Sequence, residues 1–412
     1  MLHILLINSD KPEPIEFFQN YKKKHPNTQL TVLTRSCYAS LYQDWADRVY
    51  EVGNLTDLSQ IRILMLDILK HGSVDHIVTT TEKSVLTGGF LRSFYGISGP
   101  SFETTLWMTN KVAMKTRLRN EGIPVTDFMR LDNIEDIQNI GERLGWPLVI
   151  KPAIGSGAVN TFYIESLQHY DSLNSSNELN SLKKRDAFIL AEKYVEMEEY
   201  HCDALYHNGK LLFISISKYT VPLLKGISKI QGSYILEESD PIYAQIFELN
   251  KSVIHALRVK DGPIHLEIYR TTSGDLLVGE IALRVGGGGI SHMIEKKYNI
   301  SMWDYSCQIA LNQEPQIQLN PLEGIVGYLS LPCRNGTIKE FTSIEELEKL
   351  PHILEIELIY KPGDYVQEKQ SSSFDLARIY FCVEKKEQLD ELLSLVHQKF
   401  YLYLEEDFIP SK

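Results

Sequence analysis

The stretch His265-Leu-Glu-Ile-Tyr-Arg-Thr-Thr-Ser-Gly-Asp-Leu-Leu-Val-Gly-Glu-Ile-Ala-Leu-Arg284 alternates in polarity on both sides of Ser273-Gly274. It reads as two strands joined by a two-residue hairpin loop, which pairs Thr272 with Asp275 and hence Glu267 with Glu280. Directly opposed side chains stand roughly 4.5–5.5 Å apart at Cβ. Alternation then puts His265, Glu267, Tyr269, Val278, Glu280, Ala282 and Arg284 on one face, with Leu266, Ile268, Leu277, Ile281 and Leu283 on the other. The second face is core, and the first carries chemistry. Opposed carboxylates destabilise a hairpin unless something neutralises them, and an oxygen-only pair suits Mg²⁺ bridging phosphates. Arg284 adds a fixed cation for phosphate or carboxylate oxygens. Taken alone, a Glu/Glu pair is more often an exposed hairpin with outward charges, so the rest of the chain has to decide.

A chain of 412 residues is too long for one typical core, so two to four compact units are expected, and 43% hydrophobic content is ordinary for a globular protein. With 54 acidic against 42 basic residues the net charge is -12, which argues against a nucleic-acid surface. Cys37, Cys202, Cys307, Cys333 and Cys382 are scattered with no CxxC pair, which fits a reducing cytoplasm. Met1 to Ile7 runs into Asn8-Ser-Asp-Lys without a basic leader or cleavage site, so it reads as a first strand. No apolar run approaches the roughly 20 residues of a membrane helix, and no membrane partner is expected.

Up to about residue 100, short apolar runs (Ile4–Ile7, Leu30–Leu33, Val49–Val52, His76–Thr79) alternate with helical patterns around 14–24, 58–69 and 84–95. That βαβ alternation predicts a small parallel sheet, with Thr79-Thr-Thr-Glu82-Lys83 beyond a strand end as either a ligand loop or a capped helix start. Gly96-Ile-Ser-Gly-Pro100 punctuates the chain before a helix from about Phe102 to Asn120. Apolar runs Leu148–Ile150, Thr161–Ile164 and Ala187–Leu190 follow, interrupted by Leu173–Ser181, which is rich in Asn and Ser and reads as a solvated loop. The remainder reads as strand-rich to about residue 290 and mixed beyond it.

Lys151-Pro-Ala-Ile-Gly155-Ser156-Gly157 lies between two apolar runs, where backbone N–H groups of the turn can fold over an anion beside the Lys151 charge. No Gly-Lys-Ser/Thr follows, so this is not a P-loop, and most such turns merely reverse the chain. Ile189-Leu-Ala-Glu192-Lys-Tyr194-Val195 runs on to Glu199, and a strand leading into a linker can read adenine with backbone groups while a later carboxylate holds a ribose diol. An isolated acidic patch of this kind is more often a solvated turn.

The order of these pieces, Lys111, Lys151 with its glycine loop, Glu192 to Val195 with Glu199, then Glu267, Glu280 and Arg284, resembles the ATP-grasp carboxylate-amine ligases over essentially the whole chain after residue 100. The resemblance implies an α/β and α+β protein, an ATP-grasp fold preceded by a small Rossmann-like parallel-sheet domain. It implies units at 1–100 (N-terminal βαβ), 101–190 (central and lid) and 191–412 (metal site and substrate pocket). It further implies that Lys111 and Lys151 contact ATP phosphates, that Ser156 and Gly157 cover them, and that Glu192, Tyr194 and Val195 line the adenine pocket. Glu199 would bind ribose, Glu267 and Glu280 would hold Mg²⁺ (or Mn²⁺), and Arg284 would face the acyl phosphate. Where the family usually has Glu-Ile-Asn, this chain has Glu280-Ile-Ala282, which removes one amide ligand.

Arg284 followed by Gly286-Gly287-Gly288-Gly289 is similar to the dipeptide-forming L-amino-acid ligases of the bacilysin-synthetase type, and among them to arginine-selective ones. The implied partners are small-molecule amino acids and, by family habit, a second copy in a homodimer. Four glycines leave room near Gly287 and Gly288 for a large first substrate, or serve only close backbone approach. A basic substrate would want a carboxylate, from Glu82 or Asp375. His201 and His265 read as structural histidines. The alternatives are an ATP-grasp ligase with a carrier-protein or polyamine acceptor, and a nucleotide-binding regulator without chemistry; no biotin-carrier segment supports a carboxylase.

Overall fold

The computed structural model describes residues 1–9, 11–183, 188–367, 371–372 and 374–408. His3–Ile7 is buried along its length and runs parallel between Gln29–Arg35 and His76–Thr79, with Arg48–Val52 completing a four-stranded sheet. Strands covered on both faces are continuously apolar, which is why the opening run is a strand. The helix Glu82–Tyr95 starts directly beyond His76–Thr79 with Thr81 and Ser84 capping each other, so Glu82 stands at the carboxyl edge of this sheet.

The helix expected from Phe102 to Asn120 divides into Phe102–Trp107 and Lys111–Asn120, because the Asn110 side chain accepts from the N–H groups of Val112 and Ala113 and restarts the chain. Lys111 and Lys115 thereby stand one turn apart on one face. A small antiparallel sheet follows in the order Phe128–Leu131, Ile189–Lys193, Leu148–Pro152, Phe162–Ile164. The Asn/Ser-rich stretch is not a plain loop: helices Leu167–Ser175 and Asn180–Lys183 flank a short turn, because fully buried Leu179 reaches this sheet's core. Of the apolar run expected at Ala187–Leu190, Ala187 lies outside the described residues.

Eight antiparallel strands form the large sheet, in the order Leu276–Ala282, Gly262–Thr271, Met197–His207, Lys210–Tyr219, Gln231–Ile235, Ile325–Pro332, Asp375–Val383, Ile353–Leu358. Helices Lys111–Asn120, Tyr243–Ala256 and Lys386–Lys399 pack on one core of this sheet, and Ile290–Tyr298 with Met302–Ala310 on another.

Glu267 does pair with Glu280, but by a different route from the two-residue loop. Thr271 N–H donates to the Asp275 carbonyl and Gly274 N–H to that of Thr271, which makes the loop one residue longer. The pairing runs Arg270–Leu276, Tyr269–Leu277, Ile268–Val278, and a bulge at Gly279 then restores the expected register. A Cβ at Gly279 would stand 2.4 Å from the Tyr269 ring, so glycine is required there. Val278, expected on the chemical face, is therefore buried in the core with Leu266 and Ile268, and Leu277 takes its place opposite Tyr269.

Candidate active site

The two antiparallel sheets enclose a cavity bordered by Lys111, Lys151, Glu199, Glu267, Glu280 and Arg284. Ser156, Gly157, Glu192, Tyr194 and Val195 border it as well, whereas Glu82, Gly287, Gly288 and Asp375 do not. Gly157 and Ala158 take left-handed φ values of 65° and 55°, which curls the glycine loop, and Lys111 donates to the Gly155 carbonyl while Ser372 N–H donates to that of Gly157 at 3.0 Å.

On the hairpin face, Lys111 Nζ lies 2.8 Å from Glu280 Oε1. Glu267 Oε1 lies 3.5 Å from His265 Nε2. Burial opposes the Glu267 charge, but His265 and then Lys151 outweigh it and hold the carboxyl low. Glu199 has the opposite balance: burial and the neighbouring Glu267 charge push it up, with Leu223 N–H donating to its Oε2 at 2.7 Å.

Glu192 borders the cavity with its carboxylate fully engaged by the chain. Lys115 Nζ and Lys151 Nζ each lie 2.7 Å from one of its oxygens, and Thr126 donates to it. Burial would raise this acid, but the two lysines hold it far below the usual carboxylate range. Lys115, fully buried, was not singled out from the sequence; its signal was the four-residue spacing from Lys111.

Arg284 Nε donates to Glu82 Oε2 at 2.8 Å, so Glu82 braces the arginine from the parallel sheet. Asp375 accepts from Arg378 Nε at 2.9 Å. In the glycine run, a Cβ at Gly286 would stand 2.5 Å from Asp203 Oδ1 and one at Gly289 would stand 2.6 Å from the Tyr328 ring, while at Gly287 it would meet nothing within 4 Å. Two of the glycines serve close approach and one opens onto space. Gly288 has φ 61°, which favours glycine irrespective of room.

Residues 144–292 match the ATP-grasp domain family. The chain is 63% identical over 413 residues to the L-arginine-specific L-amino acid ligase of Bacillus subtilis, covering 100% of both chains. The chain belongs to the ATP-grasp L-amino-acid ligases. In fold it is similar to the crystal structure of an L-amino acid ligase from Bacillus licheniformis, with a TM-score of 0.77 and 16% identity over 98% of this chain and 99% of that one. A biotin carboxylase domain from Hydrogenobacter thermophilus, crystallised with MgADP, gives a TM-score of 0.66 and 15% identity over 97% and 90% of the two chains.

ATP-grasp ligases use ATP with Mg²⁺, and the residues of this ligase fit a hard divalent ion. Glu267 and Glu280 are opposed on paired strands and present only oxygen, with one Glu280 oxygen engaged by Lys111. Ala282 adds no ligand, so waters and phosphate oxygens would complete the shell. His201, Asp203 and His265 also bring ligand atoms within 4.8 Å of one another. In this ligase they form a hydrogen-bonded network instead: Asp203 binds His201 Nδ1 at 2.6 Å and His265 Nδ1 at 2.9 Å, and His201 Nε2 meets Ser233 Oγ at 2.6 Å. That supports the structural reading of both histidines. No helix among the described residues is long and apolar enough to cross a membrane.

Proposed function

We propose that this ligase uses ATP to activate the carboxylate of one amino acid, arginine, and joins it to the amine of a second, giving a dipeptide, ADP and phosphate. The observation that carries this reading is 63% identity over full length to the arginine-specific ligase of Bacillus subtilis. The arrangement of charge around the cavity supports it.

In this reading Lys111 and Lys151, with the backbone of Ser156 and Gly157, hold the phosphates, and the segment through Tyr194 and Val195 lies against adenine. Glu199 takes the ribose. Glu267 and Glu280 hold Mg²⁺, which when bound neutralises charge on the transferring phosphoryl group. A carboxylate oxygen of arginine attacks the γ-phosphorus and ADP leaves. The free amine of the second amino acid then attacks the acyl carbon, Arg284 offsets the oxyanion charge, and the C–O bond to phosphate breaks as the amine proton passes to phosphate or water. Positioning and exclusion of water protect the acyl phosphate from hydrolysis.

Both candidate carboxylates for the guanidinium of the substrate are already held by an arginine of the chain, Glu82 by Arg284 and Asp375 by Arg378. We assign the guanidinium to Asp375, on the side of Tyr328, whose ring lies against Gly289 and whose hydroxyl would lie 3.5 Å from a Cβ on Gly288. The five cysteines form no disulfide among the described residues, which supports a cytoplasmic setting.

The test is phosphate release from MgATP with each of the twenty L-amino acids, singly and in pairs, followed by mass spectrometry. Release that requires arginine and yields arginyl dipeptides is expected. ADP without a dipeptide would point to another acceptor, and no turnover with any amino acid would sink the reading.

A further inference from the structure

Arg284 borders a second cavity, of about 270 Å³. At the ~30 Å³ share of a liquid water this is room for roughly nine waters, comparable with the heavy atoms of a mid-sized amino acid. It lies between the edge strand His76–Thr79 of the parallel sheet and the helix Met302–Ala310. Leu283, Trp303 and Cys307 supply apolar wall, and Arg92 supplies charge.

Arg92 is the exception among the buried cations around this site. Lys111, Lys115, Lys151 and Arg284 each have a carboxylate oxygen within 2.8 Å. Arg92, 5% exposed, has no ion pair among the described residues and donates only to the backbone carbonyls of Ile77 at 2.7 Å and Pro100 at 3.4 Å. Asp261 borders the same cavity but binds His207 and the Asn208 N–H instead. The chain is built closely around this arginine, since a Cβ on Gly99 would stand 2.8 Å from Arg92 Cδ. Burial without a counter-charge lowers the guanidinium to about 10. A buried cation with spare N–H donors is poised for an anion, and a guanidinium matches a carboxylate by its two-pronged geometry.

We propose that this cavity binds the acceptor amino acid of the ligase, with its carboxylate on Arg92, its side chain against Trp303 and Cys307, and its amine directed to the Arg284 boundary. The assignment rests on the dipeptide-forming reading above. Arg284 is common to both cavities, which brings an amine at that boundary up to the residue that faces the acyl group in the first one. The wall is mixed, with Leu283, Trp303 and Cys307 beside Thr79, Asn208 and Asp261, so it offers the acceptor side chain both apolar contact and polar partners.

The experiment compares two acceptors in the full-length enzyme: hydroxylamine, which needs no carboxylate pocket, and whichever L-amino acid the wild type joins to arginine fastest. Arg92→Lys alters the cavity from the sheet side and Ser306→Met fills it from the helix side. At low acceptor concentration the ratio of dipeptide to arginine hydroxamate is expected to fall roughly ten-fold or more in both, the size of a lost charge-assisted hydrogen bond. The amino-acid KM should carry the change and the KM for ATP should not. An unchanged ratio in both variants overturns the proposal, and so does an equal fall of both products, which marks general damage. A wild type that makes neither arginine hydroxamate nor an arginyl dipeptide refutes the ligase reading itself and takes the acceptor assignment with it.

Discussion

Two clusters built from lysine and glutamate lie side by side in this ligase and differ in how far they are closed. In the Lys115–Glu192–Lys151 cluster both carboxylate oxygens are taken at 2.7 Å, and the side chains are 0%, 5% and 9% exposed. In the other, Lys111 holds one oxygen of Glu280, which stands opposite Glu267 across the hairpin, with the two acids 20% and 17% exposed. The closed cluster ties a helix to two strands of the small sheet and fixes the Lys151 ammonium at the cavity wall. The open one keeps oxygens and an ammonium facing the cavity. The same residue types thus make a scaffold where both oxygens of the carboxylate find their partners inside the protein, and a reaction site where some partners must arrive from outside.

The sharpest way to break this comparison is Glu280→Gln. Removing charge from the open cluster should cost dipeptide formation roughly 10³-fold while barely moving the thermal midpoint. A loss below ten-fold, measured as dipeptide per minute at saturating MgATP, would show that the open cluster is not where the chemistry is. Glu192→Gln should do the reverse in its primary effect and destabilise the fold by roughly 3–5 kcal/mol, because two buried ammonium groups lose their counter-charge; urea titration reads this directly. The pH dependence has a definite sign. Glu192 is held below its ordinary value of 4.5, so its contribution is complete above that pH and is lost as the pH falls toward the depressed folded value. Stability of the Gln variant should therefore change less than that of the wild type over the same acid range.

The glycine run repeats the contrast on a smaller scale, with Gly286 and Gly289 packed against side chains and Gly287 open. Asp375→Asn should raise the arginine KM roughly 10- to 100-fold through loss of a charged partner, with little change for alanine. An equal shift for both amino acids would remove Asp375 from arginine recognition. Gly287→Trp is the mildest case: Gly287 is exposed and outside the cavity lining, so arginine and small substrates should both be activated nearly as in the wild type, and a roughly ten-fold loss confined to long side chains would show that the open space is used.

Several of these features could be read from the chain. Period-two alternation was enough to bring Glu267 opposite Glu280, and the βαβ pattern was enough for the parallel sheet. The hairpin shows how far such a reading reaches. The carboxylates face each other although the loop is one residue longer than a two-residue turn, because the Gly279 bulge cancels the slip; Val278 falls on the core face, against simple alternation, because nothing local reports a bulge. Likewise Leu173–Ser181 is polar in composition, yet one leucine with a distant core to fill draws its neighbours into helical turns.

What the sequence determined by itself was the inventory and its local order: which carboxylates share a strand face, which lysines share a helix face, and where glycine permits a turn. These follow from backbone periodicity, which acts over a few residues. Tertiary structure alone decided how each charge is spent. Whether a glutamate is closed off by two lysines, as Glu192 is, or left facing a cavity, as Glu280 is, depends on residues more than 30 positions away. Whether Arg92 is buried without a carboxylate depends on a loop and a strand folding over it. Burial and Coulomb interaction act through space, and a chain read in order does not contain those distances.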